Sequence, residues 1–303
     1  MRYYATMYHG SRTGRLQLAL DTMTNGSIEV RPYASAIGAE VHGVDLARPL
    51  DNQTWAAIHD AFHAHLVLFF RDQHITPEQH IAFSRRFGEL EPYPFVHGID
   101  GFPELIEVVK MPDEVTNFGH GWHADMSFRE TPPLGAVLYG LEIPPVGGDT
   151  IFANMYLAYE TLSDGMKAYV ETARGIHDSG DPRAHSQNYK GMSLMEKEGA
   201  SREIRSHPLI RTHPVTGRKS LFITPSYCRE IEGADRAESH RILEHLEHHA
   251  TRDEFTCRFR WEPNSIAVWD NRCPMHRALS DDLGARFGGN GFRRVMRRST
   301  IRR

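Results

Sequence analysis

The sequence predicts a mainly β fold decorated by helices, arranged as an antiparallel sandwich or barrel. Two observations predict it. Short β-like runs recur along the chain with Gly and Pro between them, and helical periodicity is concentrated in the first half. The bulk numbers set the outer bounds. A chain of 303 residues can hold one large domain or two ordinary ones, each with a substantial core. Its 40% hydrophobic and 24% charged content and formal charge of −4 exclude a general attraction to nucleic acid or membrane. No window approaches the roughly 18 apolar residues of a membrane span, and the first residues lack a signal peptide's apolar core, so a cytoplasmic protein is expected. Cys228, Cys257 and Cys273 are odd in number and scattered, which argues against a disulfide framework and a zinc-thiolate site.

Taken in order, residues 1–27 are polar and aperiodic and read as a loose arm, with Met23 a candidate start; residues 28–303 read as one domain. Strands are expected at Ile28 to Arg31 and within Ala36 to Leu46, broken by Gly38 and Gly43. Asp51-Asn52 caps a helix in which Trp55, Ile58, Phe62 and Leu66 share a face. The run Leu66 to Phe70 follows as a buried strand, and Thr76-Pro77-Glu78-Gln79 opens a second helix. Leu105 to Val109 is strand-like, Met111 to Gly121 a loop, Gly135 to Gly140 a strand, and a helix is expected around Met155 to Val170. Asp178 to Ser206 is polar with few apolar anchors, and a loop of that length suggests a lid. Ala234 to Ala250 is helical; Phe255 to Arg260, Ser265 to Trp269 and Phe292 to Ile301 are late strands.

Nineteen histidines make accidental motifs common, so each must pass a geometric test. In an extended strand residues i and i+2 point to one face, so His123 and Asp125 can grip one ion together. If His276 closes on it, two imidazoles and one carboxylate occupy one side of a metal and leave the other side free, the arrangement of non-haem Fe(II) oxygenases. His245, His248 and His249 share a helix side, but without an H-E-x-x-H order a solvated face is the preferred reading over zinc. Arg294 and Arg298 lie four apart on an expected strand, hence on one face roughly 13 Å apart, and can fork two different anions. Phe128 can supply an apolar wall near the ligand pair, and Thr150 places a hydroxyl beside the turn Gly147-Gly148-Asp149.

Through Gly43-Val44-Asp45-Leu46, Phe87-Gly88-Glu89-Leu90, Trp122-His123-Ala124-Asp125, Gly147-Gly148-Asp149-Thr150 and Trp269-Asp270-Asn271, in that order, the chain resembles the Fe(II)- and 2-oxoglutarate-dependent dioxygenases typified by taurine dioxygenase and 2,4-dichlorophenoxyacetate dioxygenase. The resemblance runs from about Ile28 to Ile301. It implies a double-stranded β-helix (jelly roll), His123, Asp125 and His276 as iron ligands, and Fe(II), 2-oxoglutarate and O2 as cofactor and cosubstrates. It further implies that Thr150 and Arg294 bind the distal carboxylate of 2-oxoglutarate and that Arg298 faces the substrate's anionic group. Where taurine-cleaving members carry a His on the sulfonate this chain has Tyr93, and where they carry an Asn near the amine it has Gly119. Both argue against taurine, and the stretch from Glu89 to Asp100 is more similar to the aryloxyalkanoate-cleaving side. The interval His276 to Arg294 is longer than in the family and includes Gly284, Gly288, Gly289 and Gly291; Arg286 within it competes with Arg294.

The expected activity is hydroxylation of a small anionic organic substrate by a homo-oligomer, dimer or tetramer, with no nucleic-acid or membrane partner. Two other readings stand beside it. A metal-dependent hydrolase or isomerase would use the same ligands without a keto acid, and a noncatalytic anion-binding module would rest on the arginines of Arg293 to Arg303.

Overall fold

Leu66 shows how local chemistry sets up the architecture. The first helix is capped at its start by Asp51, which accepts from the Thr54 N–H at 2.7 Å. It ends at Leu66, whose φ of +69° breaks helical geometry while its N–H still reaches the Phe62 carbonyl. The chain reverses there into Val67–Phe70, four consecutive buried residues with high strand propensity. The second helix starts on a capping box in which Thr76 and Gln79 each bond the other's backbone.

The protein's structure, a computed structural model, describes residues 23–25, 28–180, 189–192, 202–281, 284, 287 and 291–302. Its strands are β1 Met23–Asn25, β2 Ile28–Pro32, β3 Ala39–His42, β4 Val67–Phe70, β5 Leu90–Glu91, β6 Leu105–Lys110, β7 Gly135–Glu142 and β8 Thr150–Asn154. There follow β9 Arg174–Asp178, β10 Ile204–Pro208, β11 Ile210–Thr212, β12 Lys219–Leu221 and β13 Cys228–Ile231. The last four are β14 Thr256–Phe259, β15 Ile266–Asp270, β16 Pro274–Ala278 and β17 Arg294–Ile301. The helices are α1 Asn52–His65, α2 Pro77–Ser84, α3 Met155–Glu160, α4 Asp164–Val170 and α5 Arg236–Ala250.

Nine strands form one sheet in the order β1-β2-β3-β4-β15-β7-β17-β5, with β6 also pairing β17; only β3 and β4 run parallel. A second sheet has β8 between β14 and β16, a third has β9 between β10 and β13, and β11 pairs β12. Strand alternation sorts the large sheet's side chains. Phe69, Ala267, Trp269 and Met296 point into a core shared with Phe152 and Phe259 of the second sheet, where Phe69 and Phe259 stack at 3.9 Å. Leu68, Phe70, Ile266 and Val268 point the other way, onto Ala57, Ile58, Ala61 and Phe62 of α1 and Phe83 of α2. Helices α3 to α5 cover the outer face of the second sheet around Ala153 and Met275.

Several expectations need correction. Met23–Asn25 pairs with β2 instead of lying in a loose arm; residues 1–22 fall outside the described residues. The helix expected from Met155 to Val170 is two helices, because Ser163 caps a new start by accepting from the Met166 N–H. The polar stretch from Asp178 to Ser206 begins and ends in strand, with Asp178 opposite Ile204. Within it, 189–192 docks: the Lys190 N–H donates to Glu114 Oε1 at 2.7 Å and Met192 enters the core. Residues 181–188 and 193–201 fall outside the described residues. His123 to Asp125 is not a strand; His123 alone forms an isolated bridge, to His276.

Four histidines are held neutral by burial, His63 and His65 lowered to about 4 and His80 and His177 to about 3. Their folded values lie below the unfolded value near 6.5, so the unfolded chain binds more protons, and stability is complete above pH 6.5 and lost as pH falls toward 3. In metal-free protein the urea midpoint should therefore drop between pH 7.5 and pH 5. His65→Phe, which removes a ring whose Nε2 has no hydrogen-bond partner, should reduce the pH slope of the unfolding free energy by up to about 1.4 kcal/mol per pH unit. An unchanged slope would remove His65 from this account.

Candidate active site

Two distant segments meet through backbone. The His123 N–H donates to the His276 carbonyl at 3.0 Å and the His276 N–H to the His123 carbonyl at 2.8 Å. The bridge brings the two imidazoles to 4.3 Å between ring centres, with their planes tilted by 46°. Asp125 faces them, with Oδ1 3.6 Å from His123 Nε2 and 3.9 Å from His276 Nε2. All three residues are buried, and their ligand-capable atoms lie within 4.8 Å of one another.

The proton positions test whether a cation fits. His123 Nδ1 lies 2.7 Å from the Gly121 carbonyl, which can only accept, so Nδ1 carries a hydrogen and Nε2 is the ring nitrogen turned toward Asp125. Burial, then the charge of His123, keeps His276 well below the usual imidazole range and thus neutral. Burial alone would raise Asp125, but Arg298, His276 and His123 outweigh it and hold the carboxyl ionised. Two imidazoles and a carboxylate held ionised, converging in a buried pocket, form a donor set that a divalent ion fits.

A second cluster, His63, His213 and Asp270, has comparable spacing among the described residues. Its proton positions point elsewhere. His213 Nδ1 accepts the backbone N–H groups of Val215 and Thr216, so its proton sits on Nε2 and is donated to Asp270 Oδ2 at 3.0 Å. Arg272 covers both Asp270 oxygens, at 2.6 and 2.5 Å. That carboxylate is saturated, and the cluster is a turn lock.

The anion-binding candidates lie on β17, where Arg294, Met296 and Arg298 face the core while Arg297 faces α2, near His80 Nδ1 and on the Ile75 carbonyl. Arg294 is 3% exposed, makes no ion pair with a described residue, and has no hydrogen-bond partner at Nε. Burial lowers it to about 10, against the opposing charges of Asp149 and Asp281, so it remains a cation at neutral pH. Gly148, at φ +73°, admits it: an added Cβ would lie 3.1 Å from Arg294 Cδ. Thr150 is buried at the start of β8, and its Oγ1 accepts from Trp261 Nε1 at 2.9 Å, which leaves the hydroxyl proton free to donate. Trp261 was missed in the sequence; only its position just after β14 links it to Thr150.

Arg298 is the largest departure from expectation. Besides any role toward a substrate, its guanidinium lies 2.8 Å from Asp125 Oδ2, while its Nε has no hydrogen-bond partner. Tyr93 lies under it, 5.3 Å from ring centre to guanidinium carbon, and Phe128 packs on Tyr227, whose ring stands 6.2 Å from that of His123. Phe95, Phe118 and Tyr189 extend this aromatic wall. Gly119, at φ +75°, touches the metal candidates themselves, since an added Cβ would lie 3.1 Å from His123 Cε1. Arg286 falls outside the described residues. On α5, His249 bonds the Ala158 carbonyl at 2.9 Å, and no metal-competent group on that helix occurs among the described residues.

Comparison with known proteins agrees with this geometry. The family described as taurine catabolism dioxygenase TauD, TfdA family matches residues 29–300. The chain is 32% identical over 279 residues to an alkylsulfatase of Acinetobacter baylyi, covering 90% of this chain and 84% of that protein. It is 34% identical over 268 residues to an (S)-phenoxypropionate/alpha-ketoglutarate-dioxygenase of Sphingobium herbicidovorans, covering 85% of this chain and 91% of that one. Among solved structures, a taurine dioxygenase from Burkholderia xenovorans superposes with a TM-score of 0.76 at 39% identity, covering 91% and 89% of the two chains. A chain matched nearly end to end by one family, with its ligand-competent triad buried between two sheets, belongs to the TauD/TfdA family of dioxygenases.

Proposed function

We infer that this 2-oxoglutarate-dependent dioxygenase hydroxylates a small anionic organic substrate of the aryloxyalkanoate, sulfonate or sulfate-ester type, releasing succinate and CO2. The observation that carries the reading is the pairing of a buried His–Asp–His donor set with Arg294, a buried cation left without a described partner. His123, Asp125 and His276 would hold Fe(II), which when bound supplies the activation of O2 at the expense of 2-oxoglutarate decarboxylation. Arg294 and the Thr150 hydroxyl take the distal carboxylate of the cosubstrate, and Trp261 fixes the rotamer of that hydroxyl. Arg298 faces the substrate anion while it steadies Asp125. Tyr93, Phe128 and the residue at Gly119 bound the substrate, and the aromatic wall keeps water away from the reacting carbon. If that carbon bears an ether or sulfate-ester oxygen or a sulfonate sulfur, the hydroxylated product collapses unaided to a carbonyl and the released group.

The same reading takes the two facing sheets as a double-stranded β-helix and residues 28–303 as one catalytic domain. It places a homodimer or homotetramer in the cytoplasm. It also makes 178–206 a lid, supported by the docking of 189–192 through Glu114 and by Tyr189 against Phe118 at 5.2 Å. Succinate release driven by an aryloxyalkanoate, sulfonate or sulfate ester is the primary test, since a hydrolase or isomerase on the same ligands needs no keto acid.

Three outcomes are expected. Anaerobic protein with Fe(II) and 2-oxoglutarate develops a visible metal-to-ligand charge-transfer band that His276→Ala abolishes and His63→Ala leaves; the reverse pattern would move the metal to the second cluster. Arg294→Ala loses about 2–5 kcal/mol of cosubstrate binding, a KM for 2-oxoglutarate raised roughly thirtyfold or more. Arg298→Ala instead keeps 2-oxoglutarate affinity and raises the KM for the substrate. Loss of cosubstrate affinity in Arg286→Ala but not in Arg294→Ala would place the fork in the glycine-rich insertion. Finally, limited proteolysis within 178–206 slows when cosubstrate and substrate are both bound, and equal rates with and without them would refute a lid.

A further inference from the structure

The segment His123-Ala124-Asp125 needs partners for the backbone groups of both candidate ligand residues, because buried N–H and C=O groups left unpaired are costly. His123 finds its pair in the backbone of His276. Asp125, two residues on and on the same side, has no strand beside it. Its N–H donates to Asn271 Oδ1 at 2.7 Å, and its carbonyl accepts from Asn271 Nδ2 at 3.0 Å. The second Nδ2 hydrogen goes to the Pro133 carbonyl at 3.2 Å, so both ends of the amide are committed.

We propose that Asn271 is a positioning residue for the metal site: its side-chain amide acts as the missing bridge partner of Asp125 and sets the carboxylate against the two imidazoles. Three further features fit this role. Asn271 is 2% exposed, and its own N–H is tied to the Leu134 carbonyl at 2.8 Å. The preceding Asp270 is locked by Arg272 and His213, so the residue that presents the amide cannot drift. The residue after Asp125, Met126, sits at φ +45°, a conformation that persists in a non-glycine residue only when its surroundings impose it. A primary amide accepts and donates in one plane from atoms on the same carbon, as a peptide group does. Aspartate in its place keeps the shape, but an ionised carboxylate cannot donate to the Asp125 or Pro133 carbonyl.

The inference rests on the ligand assignment proposed above, and the test separates the two. Mn(II) affinity is measured on metal-free protein from the resonance of the free ion, alongside circular dichroism and the apo melting temperature. The wild type should bind one equivalent and His276→Ala none at comparable affinity; if His276→Ala binds like the wild type, the ligand assignment fails whatever Asn271 does. Asn271→Asp, Asn271→Ala and the milder Asn271→Ser should fold and bind Mn(II) about 10- to 100-fold more weakly. Ser84→Ala, which removes the buried Ser84–Ser299 contact of 2.8 Å on the α2 side of β17, the face opposite Arg298, should lower the melting temperature and leave Mn(II) affinity unchanged. Folded Asn271→Asp with affinity within twofold of the wild type overturns the proposal. So does an equal loss of affinity in Ser84→Ala, or failure of all three Asn271 variants to fold, either of which would make the amide a general structural element.

Discussion

Two hydrogen bonds between the backbones of His123 and His276 hold the site together, since they join the segment that bears Asp125 to the edge of the second sheet. From that edge the other parts follow by register. His276 lies opposite Phe152 on β8, two residues from Thr150, and Thr150 lies opposite Phe259 on β14, two residues before Trp261. His123, His276 and Thr150 therefore hang from one three-stranded sheet. The arginines hang from the facing sheet, so the reacting groups occupy the space between two layers whose separation is set by packed aromatic rings such as Phe69 on Phe259.

That space is electrostatically unusual. Desolvation opposes every charge in it, yet Asp125 stays ionised beside Arg298, and Arg294 stays cationic with only the more distant Asp149 and Asp281 to favour it. A chain that buries a fork without a counter-charge is less stable than it could be, and an incoming carboxylate recovers that cost. On the proposed reading, affinity for the cosubstrate carboxylate is stored in the fold as that unfavourable term.

The sequence carried what short-range chemistry decides. Asp51 and the Thr76–Gln79 pair mark helix starts with bonds only three residues long, and both helices begin there. Ser163 carried the same kind of signal and was overlooked beneath an apolar run. The order of the strands was not legible, because β15 lies between β4 and β7 through contacts well over a hundred residues apart in sequence. His123 and Asp125 were found as a pair for a reason that proved incomplete: they do not lie in a strand, and the backbone groups of Asp125 pair with the side chain of Asn271, 146 residues away. The contact of Arg298 with Asp125 is likewise invisible in one dimension, as is the service of Trp261 to Thr150.

The two-sided pairing of β17 bears on how this enzyme can vary. Arg298 is opposite Ile106 of β6 on one side and Leu138 of β7 on the other, so a slip of one residue would break two ladders and would turn Arg297 inward in its place. The strand is thereby indexed by its neighbours and takes no reference from the chain that leads into it. The interval between His276 and Arg294 can lengthen or shorten without shifting either guanidinium. Diversity in outer contour and constancy of inner chemistry become separable traits, open to independent drift and to independent engineering.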